Sequence, residues 1–292
     1  MIKVSVIIPH FNNVVSLSKL LMSIPEQKDI QVLVVDDNSS VSIENVKLTF
    51  PQVEFYINES LKKGAGAARN VGLKHAKGEY LLFADSDDYF IDGAFEIIAN
   101  VINNEVFDIC YFSPVSLNLE SSRPSKRHIP YKSLVDNFLT YNDSKIRYHF
   151  YVPWSKLVKH TLVSDNDINF EEIIASNDIN FSMKVGYYAK KVIASKESIY
   201  CVTEGETDSS LTKTLSKDNI ESRFYAISRF NDFLSCEQLP QYQCSMSQHL
   251  LNTLIYDKSK FILRVRFCVR NRYPINVGYD SIKKYFKKKL FN

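Results

Sequence analysis

Short apolar segments alternate with helix-like segments through about the first 115 residues, and this alternation constrains the fold more than any other feature. Strand-like runs cover residues 3–11, 30–36, 53–59, 79–84 and 107–115, and the first is expected to stop at Pro9. Residues 14–24 space their apolar side chains as a helix does, and residues 66–78 are predicted to form another helix. Short buried strands joined through helices are typical of an α/β fold with a mostly parallel, Rossmann-like sheet flanked by helices.

The pattern of strand-like and helix-like segments changes after about residue 205. Two long helical runs, KDNIESRFYAISRFNDFL and SMSQHLLNTLIYDKSKFILRVRFCVRN, replace the alternation. The sequence therefore predicts an α/β domain over residues 1–212 and a helical C-terminal extension over residues 213–292. A chain of 292 residues, 45% of them hydrophobic, is long enough for a large core and for one or two domains.

Carboxylates lie at the ends of two predicted strands, with Asp36 and Asp37 after the second strand and Asp85, Asp87 and Asp88 after the fourth. Ligands of parallel sheets bind outside the carboxyl ends of the strands. Three carboxylates within four residues repel one another, which indicates a cation among them. Hard oxygen ligands of this kind suit Mg²⁺ or Mn²⁺, which prefer one or two carboxylates together with phosphate oxygens. The alternative is a solvated turn that caps the next helix.

The aspartate run does not match two other acidic motifs. Tyr89 and Phe90 stand where an EF-hand loop needs an acidic ligand and its glycine. The run also lacks the threonine or valine of a D-x-D-x-T/V phosphatase loop. What remains is a D-x-D sequence at the end of a buried strand.

Two further segments fit a nucleotide. In VVDDNSS an aspartate can hydrogen-bond a ribose or the imide N–H of a uracil, although Asp37 is equally suited to cap a helix. In KKGAGAARNVG, Gly64 and Gly66 allow a close backbone approach where a helix begins, and its free N–H groups with Arg69 make a phosphate site. The segment does not follow the first strand, and Arg69 replaces the third small residue of a dinucleotide fingerprint. These departures exclude a Rossmann dehydrogenase.

The segments VSVIIPHFNN, VLVVDDNSS, GAGAARNVGLKHAKGEYLLFADSDD, PWSKL and NDINF, in that order, resemble family 2 glycosyltransferases with the GT-A fold. The resemblance covers about residues 1–212 and is to bacterial enzymes that build capsule, O-antigen or exopolysaccharide. It implies an inverting, metal-dependent transfer of a sugar from a nucleotide-diphosphate sugar to a hydroxyl of a glycan or lipid-linked acceptor. It also favours UDP as the nucleotide and Mn²⁺ or Mg²⁺ as the cofactor.

The same resemblance implies the donor-binding residues. Asp87 would ligate the metal directly, while Asp85 would contact the ribose or, through water, the metal. The metal's role has a physical reason, because a divalent cation neutralises the charge that develops on the leaving diphosphate. The other nucleotide contacts are implied for the acid pair, the glycine turn with its arginine, and the loop after the first strand: Asp36, Asp37, Gly64, Gly66, Arg69, Pro9 and Phe11.

The acceptor side is implied for the segments NFEEIIASNDINF and PWSKL. Asp178 matches the family's catalytic base, which takes the proton of the acceptor hydroxyl during attack at the anomeric carbon. Asn177 stands where the family commonly has glutamate and, with Trp154, is assigned to acceptor binding. Two alternatives stay open: Asp178 caps the helix that follows it, and Trp154 belongs to the core.

The charge of the chain is unevenly distributed. Residues 256–292 carry eleven Lys and Arg against two acids, whereas residues 1–255 carry 25 basic and 31 acidic side chains. The basic, partly apolar C-terminus indicates an anionic membrane surface as a partner, with a solvated terminal helix as the alternative. The acidic body and the lack of a nucleic-acid-binding motif exclude nucleic acid. Five cysteines without a close pair, and no signal peptide or spanning segment, predict a cytoplasmic protein attached peripherally to the inner face of the cell membrane.

Two other functions compete with transfer. A sugar nucleotidylyltransferase shares the sheet, but it normally opens with a glycine-rich loop after the first strand, which PHFNN lacks. A nucleotide-sugar-binding component without catalysis is favoured only by Asn177, and the presence of Asp87 and Asp178 argues against it.

Overall fold

The computed structural model describes residues 1–60, 62–205 and 216–276, which fall into two compact units. The first unit contains residues 1–173 and 181–205, and the second contains residues 174–180 and 216–276. The division predicted at residues 212 and 213 falls outside the described residues, as does the lysine-rich end of the chain.

Strands occur in the first unit, where the predicted apolar runs lie. They are β1 (Val4–His10), β2 (Ile30–Asp36), β3 (Glu54–Ile57), β4 (Tyr80–Phe83), β5 (Tyr89–Phe90), β6 (Ile109–Phe112), β7 (Val115–Asn118), β8 (Arg123–Pro124), β9 (Lys156–Lys159), β10 (Val192–Ser195) and β11 (Tyr200–Glu204).

Seven of the described strands form one sheet, in the order β10-β6-β9-β4-β1-β2-β3. Four neighbouring pairs are parallel, and only β9 runs antiparallel, between β4 and β6. The mostly parallel sheet predicted from the sequence is therefore confirmed, and the antiparallel β9 and the parallel edge strand β10 are additions to it. The other four strands form a smaller sheet in the order β5-β11-β7-β8, which the apolar pattern did not predict.

Helices flank the first unit's sheet and make up the regular structure of the second unit. They are α1 (Val14–Met22), α2 (Glu44–Thr49), α3 (Ala65–His75), α4 (Ala94–Asn104), α5 (Ile129–Tyr141), α6 (Lys145–His149), α7 (His160–Ser164), α8 (Ile179–Tyr188), α9 (Lys217–Cys236), α10 (Ser247–Tyr256) and α11 (Lys258–Arg270), with a 3₁₀ turn at Pro240–Tyr242.

Side chains alternate between the two faces of β1, and both faces are buried. Val6 and Ile8 belong to one hydrophobic cluster, and Ile7 belongs to the other, on the opposite face of the sheet. Helix α3 approaches the Ile7 face closely at Gly72, where an added Cβ would lie 2.4 Å from a methyl group of Ile7. Glycine is therefore required here for packing, and the near-continuous apolar sequence of β1 reflects burial on both faces.

Pro9 does not end the first strand, contrary to the expectation from the sequence. The Ile7 carbonyl accepts the Ala84 N–H on the β4 side, and the His10 carbonyl accepts the Asp37 N–H on the β2 side. Because the backbone groups of successive residues point to opposite sides of a strand, an N–H at position 9 would point towards β4. Pairing with β4 ends at Ile7, whereas pairing with β2, which does not use the Pro9 N–H, continues to His10.

The second unit has a small core of its own. Its buried members come from α9, from α10 with the residue before it, and from α11 with the residues after it: Phe224, Ile227, Met246, Leu250, Cys268 and Tyr273. No helix within the described residues is both long and apolar enough to cross a membrane.

Candidate active site

The acid pair at the end of β2 is buried and fully engaged. The two oxygens of Asp36 accept hydrogen bonds from the hydroxyl and, at 3.1 Å, the N–H of Ser39. Those of Asp37 accept from Asn58 Nδ2 and from the Gly64 N–H, each at 2.6 Å. The helix-cap alternative for Asp37 is wrong, because the next helix, α2, begins only at Glu44. The pair builds a rigid edge where β2 ends.

The glycine turn is held to this edge. Gly64 has a φ of 115°, which a residue with a side chain rarely adopts, and it directly precedes α3. Its N–H points at Asp37, as described above, and Gly66 lies buried in the first turn of α3. The start of α3 thus meets the end of β2 in the structure.

Arg69 connects α3 to the second acidic strand end. Its side chain is 5% exposed and donates through Nη2 to Oδ1 of Asp85 at 2.5 Å. The guanidinium also lies 5.2 Å from the ring of Phe170. Within the described residues, Oδ2 of Asp85 accepts no hydrogen bond. The pair therefore fixes one oxygen of Asp85 and leaves the other for a ligand.

Asp85, Asp87 and Asp88 form a cluster in which one oxygen of each carboxylate lies within 4.8 Å of the others. Asp87 is exposed, Asp85 is half-buried and Asp88 is buried. The solvated-turn alternative is wrong for Asp88, which is 4% exposed, and the next helix, α4, begins only at Ala94.

Asp88 is bound by the strand β11 of the smaller sheet. Its Oδ2 accepts from Tyr200 Oη at 2.9 Å, and its Oδ1 accepts from the Thr203 N–H at 2.7 Å. Burial, together with the charges of Asp87 and Asp85, raises the pKa of the Asp88 carboxyl well above its ordinary value. Burial and the same carboxylates also raise the pKa of Tyr200, so its hydroxyl stays protonated and donates.

The carboxylates suit a hard divalent cation by position and chemistry. Asp87 is exposed and Asp85 keeps one oxygen for a ligand, whereas both oxygens of Asp88 are held by β11. One or two carboxylates completed by phosphate oxygens and water are a preferred environment of Mg²⁺, and oxygen ligands also suit Mn²⁺. The cluster therefore fits the implied cofactor through two of its three members.

Pro9 and Phe11 lie on the same edge of the sheet as the acid pair. Pro9 is buried at the end of β1, paired with Val35, whereas the Phe11 side chain is 56% exposed just after the strand. Between them His10 is 1% exposed, and neither ring nitrogen has a hydrogen-bond partner among the described residues. Phe11 thus offers a ring for stacking, and Pro9 supports the strand beneath it.

Trp154 belongs to the core in this structure, which is the alternative left open by the sequence. It is 1% exposed, its ring stacks on Tyr200 at 5.7 Å, and Tyr131 meets it edge-on at 5.2 Å. A ring so enclosed has no face for a sugar, and the acceptor contact expected of it is not supported. The neighbouring Lys156 is also buried, with its Nζ donating to the Phe150 carbonyl at 2.9 Å.

Asn177 and Asp178 lie in the second unit, in the turn directly before α8. Both side chains are half-buried and both make polar interactions. The position of Asp178 is the one from which a carboxylate caps a helix, so the capping alternative remains alongside the catalytic one.

Three residues that organise the two strand ends were not expected from the sequence. Asn58 bridges Asp37 and the Lys62 carbonyl, and Tyr200 and Thr203 hold Asp88. Tyr200 lies 112 positions after Asp88, so neither periodicity nor local motif could reveal the contact. The only signal is the close spacing of acids itself, which requires donors from elsewhere in the chain.

Together the fold and the site define a class of protein. A mainly parallel sheet carries carboxylates at the carboxyl ends of β2 and β4, and a smaller sheet supports the second of these ends. This is the architecture of the GT-A glycosyltransferases. The model of the family described as "Glycosyl transferase family 2" matches residues 5–166, more than half of the chain. The chain belongs to glycosyl transferase family 2.

Curated relatives give the same result. The chain is 30% identical over 246 residues to poly(ribitol-phosphate) beta-N-acetylglucosaminyltransferase TarS of Staphylococcus aureus (strain MW2), covering 78% of this chain and 40% of that protein. It is 35% identical over 117 residues to the GalNAc(5)-diNAcBac-PP-undecaprenol beta-1,3-glucosyltransferase of Campylobacter jejuni, covering 37% and 38%. The chain thus spans about two fifths of the length of these relatives.

Solved structures share the fold. S. aureus TarS 1-349 in complex with UDP-GlcNAc has a TM-score of 0.64 at 23% identity, covering 90% of this chain and 76% of that one. The mannosyltransferase PcManGT from Pyrobaculum calidifontis, in complex with GDP-Man and Mn²⁺, has a TM-score of 0.58 at 13% identity, covering 99% and 80%. The predicted α/β fold of the GT-A type is confirmed.

Proposed function

We propose that this glycosyltransferase moves a sugar, with inversion, from a UDP-sugar to a hydroxyl of a glycan or lipid-linked acceptor in bacterial surface polysaccharide synthesis. The observation that carries the proposal is the carboxylate cluster at the end of β4, with Asp87 exposed and Asp85 paired to Arg69. A cation is the natural partner of three neighbouring carboxylates, one of which is exposed.

Asp87 would hold Mn²⁺ or Mg²⁺ directly, and Asp85 would support the metal or the ribose. When bound, the cation supplies neutralising charge for the diphosphate as it leaves. Arg69, the Gly64–Gly66 turn, the acid pair and Phe11 would hold the rest of the nucleotide. Phe11 is suited to the base because its ring is 56% exposed at the end of β1.

Asp178 would act as the general base. Inversion needs a carboxylate on the face of the sugar opposite the leaving group, where it accepts the proton of the acceptor hydroxyl during attack. The assignment is supported by the match of NDINF to the family pattern, and Asn177 would assist on the acceptor side.

The relatives support the choice of donor and acceptor. TarS was crystallised with UDP-GlcNAc, and both curated relatives are named as beta-transferases, one of them acting on an undecaprenol-linked saccharide. A β-linked product results when an α-linked donor is attacked from its opposite face. Family membership also favours transfer over the nucleotidylyltransferase alternative.

Thermal unfolding with UDP, GDP and CMP, each with and without Mn²⁺, tests the donor site. We expect a rise of several degrees only with UDP and Mn²⁺ together, because ligand that binds only the folded state stabilises it. Asp87→Ala should abolish the rise, whereas Asp92→Ala, an exposed aspartate outside the cluster, should keep it. No shift with any nucleotide, from folded protein, would contradict the donor site.

Turnover separates an enzyme from a binding component. Release of UDP from UDP-sugars should be measured with and without polyol-phosphate and lipid-linked saccharide acceptors. Asp178→Asn should lose at least about 100-fold in kcat while the UDP–Mn²⁺ thermal shift persists, because the base acts only in the chemical step. Asp165→Asn, an exposed acid nearby in sequence, serves as the control. Nucleotide binding without turnover on any acceptor would favour the binding component.

The second unit offers a surface for the membrane proposal. Helix α11 contains five Lys and Arg residues and no acid. Ile262, Leu263 and Val269 are each more than 60% exposed and share one face with the exposed Arg266 and Arg270. Apolar and cationic side chains on one exposed helical face suit an anionic lipid surface, at about 1 kcal/mol per basic residue near the membrane.

Vesicle sedimentation tests this partner. Binding to vesicles that contain phosphatidylglycerol should fall at least about tenfold in an Arg266→Glu, Arg270→Glu double variant. A Lys28→Glu, Lys190→Glu double variant makes the same change in net charge at exposed sites elsewhere and should bind as the unmodified chain does. Equal losses in both variants would show that net charge, and not this face, attracts the lipid.

A further inference from the structure

The loop that carries Asp87 is tied to β11 by four hydrogen bonds that the proposed reaction does not use. Tyr200 Oη donates to Asp88 at 2.9 Å and accepts the N–H of Asp85 at 2.8 Å. The Thr203 N–H donates to the other oxygen of Asp88 at 2.7 Å, and the Thr203 hydroxyl donates to the Asp87 carbonyl at 2.5 Å. Three successive acidic positions of the loop are therefore held by two residues of one strand.

We propose that Asp88, Tyr200 and Thr203 are positioning residues that aim the carboxylates of Asp85 and Asp87, an inference that rests on the proposed metal site. Asp88 has both oxygens engaged and is 4% exposed, so it serves the loop and not the cation. Partners of this kind fix the orientation of the groups that bind a metal, and their loss typically weakens binding 10–100-fold.

Repulsion explains why such a device is needed. Three neighbouring carboxylates separate into water unless something restrains them, and burying one of them is unfavourable unless its oxygens are hydrogen-bonded. Here the buried carboxylate of Asp88 is fully hydrogen-bonded, and it serves as the anchor against which Asp87 stays exposed. These hydrogen bonds offset the unfavourable burial of Asp88, and the anchored loop fixes the orientation of the Asp87 side chain.

Packing makes the anchor rigid. The Tyr200 ring stacks on Trp154 at 5.7 Å and meets Phe90 edge-on at 5.3 Å. Residues Tyr89 and Phe90, which directly follow the loop, pair with Cys201 and Tyr200 in the smaller sheet. A Tyr200→Phe substitution keeps the ring and these contacts and removes only the hydroxyl between Asp85 and Asp88.

The chain provides a matched control. Tyr111 is fully buried like Tyr200, but its hydroxyl has no hydrogen-bond partner among the described residues. Tyr111→Phe therefore makes the same chemical change at the same burial without touching the acidic loop.

The experiment compares Tyr200→Phe and Tyr111→Phe in two measurements. Without metal, hydrogen exchange of peptides spanning residues 80–90 should be about tenfold faster in Tyr200→Phe, because the Asp85 amide loses its acceptor. With UDP present, the Kd for Mn²⁺ from electron paramagnetic resonance should be about tenfold higher. Tyr111→Phe should match the unmodified chain in both measurements. If Tyr200→Phe does not fold, Thr203→Val, which removes only the hydroxyl bound to the Asp87 carbonyl, replaces it.

The outcomes separate this proposal from the proposed function. Unchanged exchange and an unchanged Mn²⁺ Kd, with only a lower unfolding temperature, would overturn the positioning role. Faster exchange in Tyr200→Phe from a chain that binds no Mn²⁺ in its unmodified form would support the anchor and contradict the metal site instead.

Discussion

The two acidic strand ends of the main sheet are built in opposite ways. Within the described residues, the carboxylates of Asp36 and Asp37 at the end of β2 accept hydrogen bonds only from neutral groups, among them the Asn58 amide and the Gly64 N–H. Both aspartates are less than 10% exposed. Each charge at this end is thus dispersed over uncharged donors and is turned away from water.

At the end of β4 the three aspartates are treated individually. Asp85 has a guanidinium beside it, Asp88 has a hydroxyl and an N–H, and Asp87 is exposed. Asp85 and Asp87 present carboxylates where the side chains are half-buried and exposed, and the Arg69 guanidinium pairs with Asp85. Aspartates at the end of a strand therefore do not all have the same role. Neutral hydrogen-bond partners make the end of the strand rigid, whereas an excess of negative charge at an exposed position suits a cation.

Removing Asp37 should have the largest effect on stability. In Asp37→Ala the donors of Asn58 and Gly64 lose an acceptor inside the structure, and we expect a loss of about 3 kcal/mol in the free energy of unfolding. Urea denaturation measures it, with the exposed Asp29→Ala as the control. A loss no larger than that of the control would show that the β2 end is not the rigid one.

Removing Arg69 should destabilise the other end by about 2 kcal/mol in the presence of a chelator, because a half-buried Asp85 is left without its counter-charge. Mn²⁺ should restore part of this loss in Arg69→Met, since a second cation can balance the same carboxylates. A double-mutant cycle with Asp85→Asn isolates the pair. If the loss is as large in the Asp85→Asn background, the ion pair is not its cause.

Lowering the pH should change the free energy of unfolding in opposite directions at the ends of β2 and β4. Burial lowers the pKa of His10 beside Asp36, so below about pH 6.5 the unfolded chain takes a proton that the folded chain resists, and stability falls. Burial raises the pKa of Asp88, so the folded chain takes a proton first as the pH falls, and stability rises.

Unfolding temperatures measured from pH 8 to 5 with a chelator separate the two signs. His10→Leu should flatten the fall, and Asp88→Asn should remove the opposing gain and so steepen it, by at most about 1.4 kcal/mol per pH unit for each proton. Parallel pH profiles of both variants and the unmodified chain would contradict both assignments.

Asp87→Asn should have the smallest effect on stability and distinguishes the two strand ends most clearly. Without metal the change should lie within about 0.5 kcal/mol, with any shift towards greater stability, because an exposed charge next to two others is removed. Activity should nevertheless fall at least about 100-fold. Guanidinium denaturation and turnover are measured on one preparation, and a large destabilisation would place Asp87 among the structural residues.

Five of the seven strands of the main sheet, β1, β2, β3, β4 and β6, could be predicted from the sequence because each is a local feature. Buried strands such as β1, β2 and β4 are continuous apolar runs, and the acids follow them directly in the chain. The location of the candidate site follows from that order alone, since the carboxyl ends of parallel strands share one edge.

What the sequence could not supply are contacts between distant segments. Lys156 belongs to β9, which inserts between β4 and β6, and Trp154 is buried just before that strand. Nothing in PWSKL indicates a strand with neighbours on both sides. From the sequence, Pro9 predicts the end of a strand, because the sequence does not show where the pairing of β1 with β4 stops. The partners of Asp88 come from β11, more than 110 residues later. A buried carboxylate requires hydrogen-bond donors, but no local sequence pattern shows which residues provide them.

The burial of Trp154 gives the molecule an optical reporter of its own. It is the only tryptophan in the chain, and it stacks on the tyrosine whose hydroxyl contacts Asp85 and Asp88. A change at the acidic loop that shifts the Tyr200 ring alters the surroundings of a single indole, which can be excited at wavelengths that tyrosine does not absorb. Its fluorescence emission is therefore a label-free record of what the loop binds, readable by stopped flow on the timescale of a catalytic cycle.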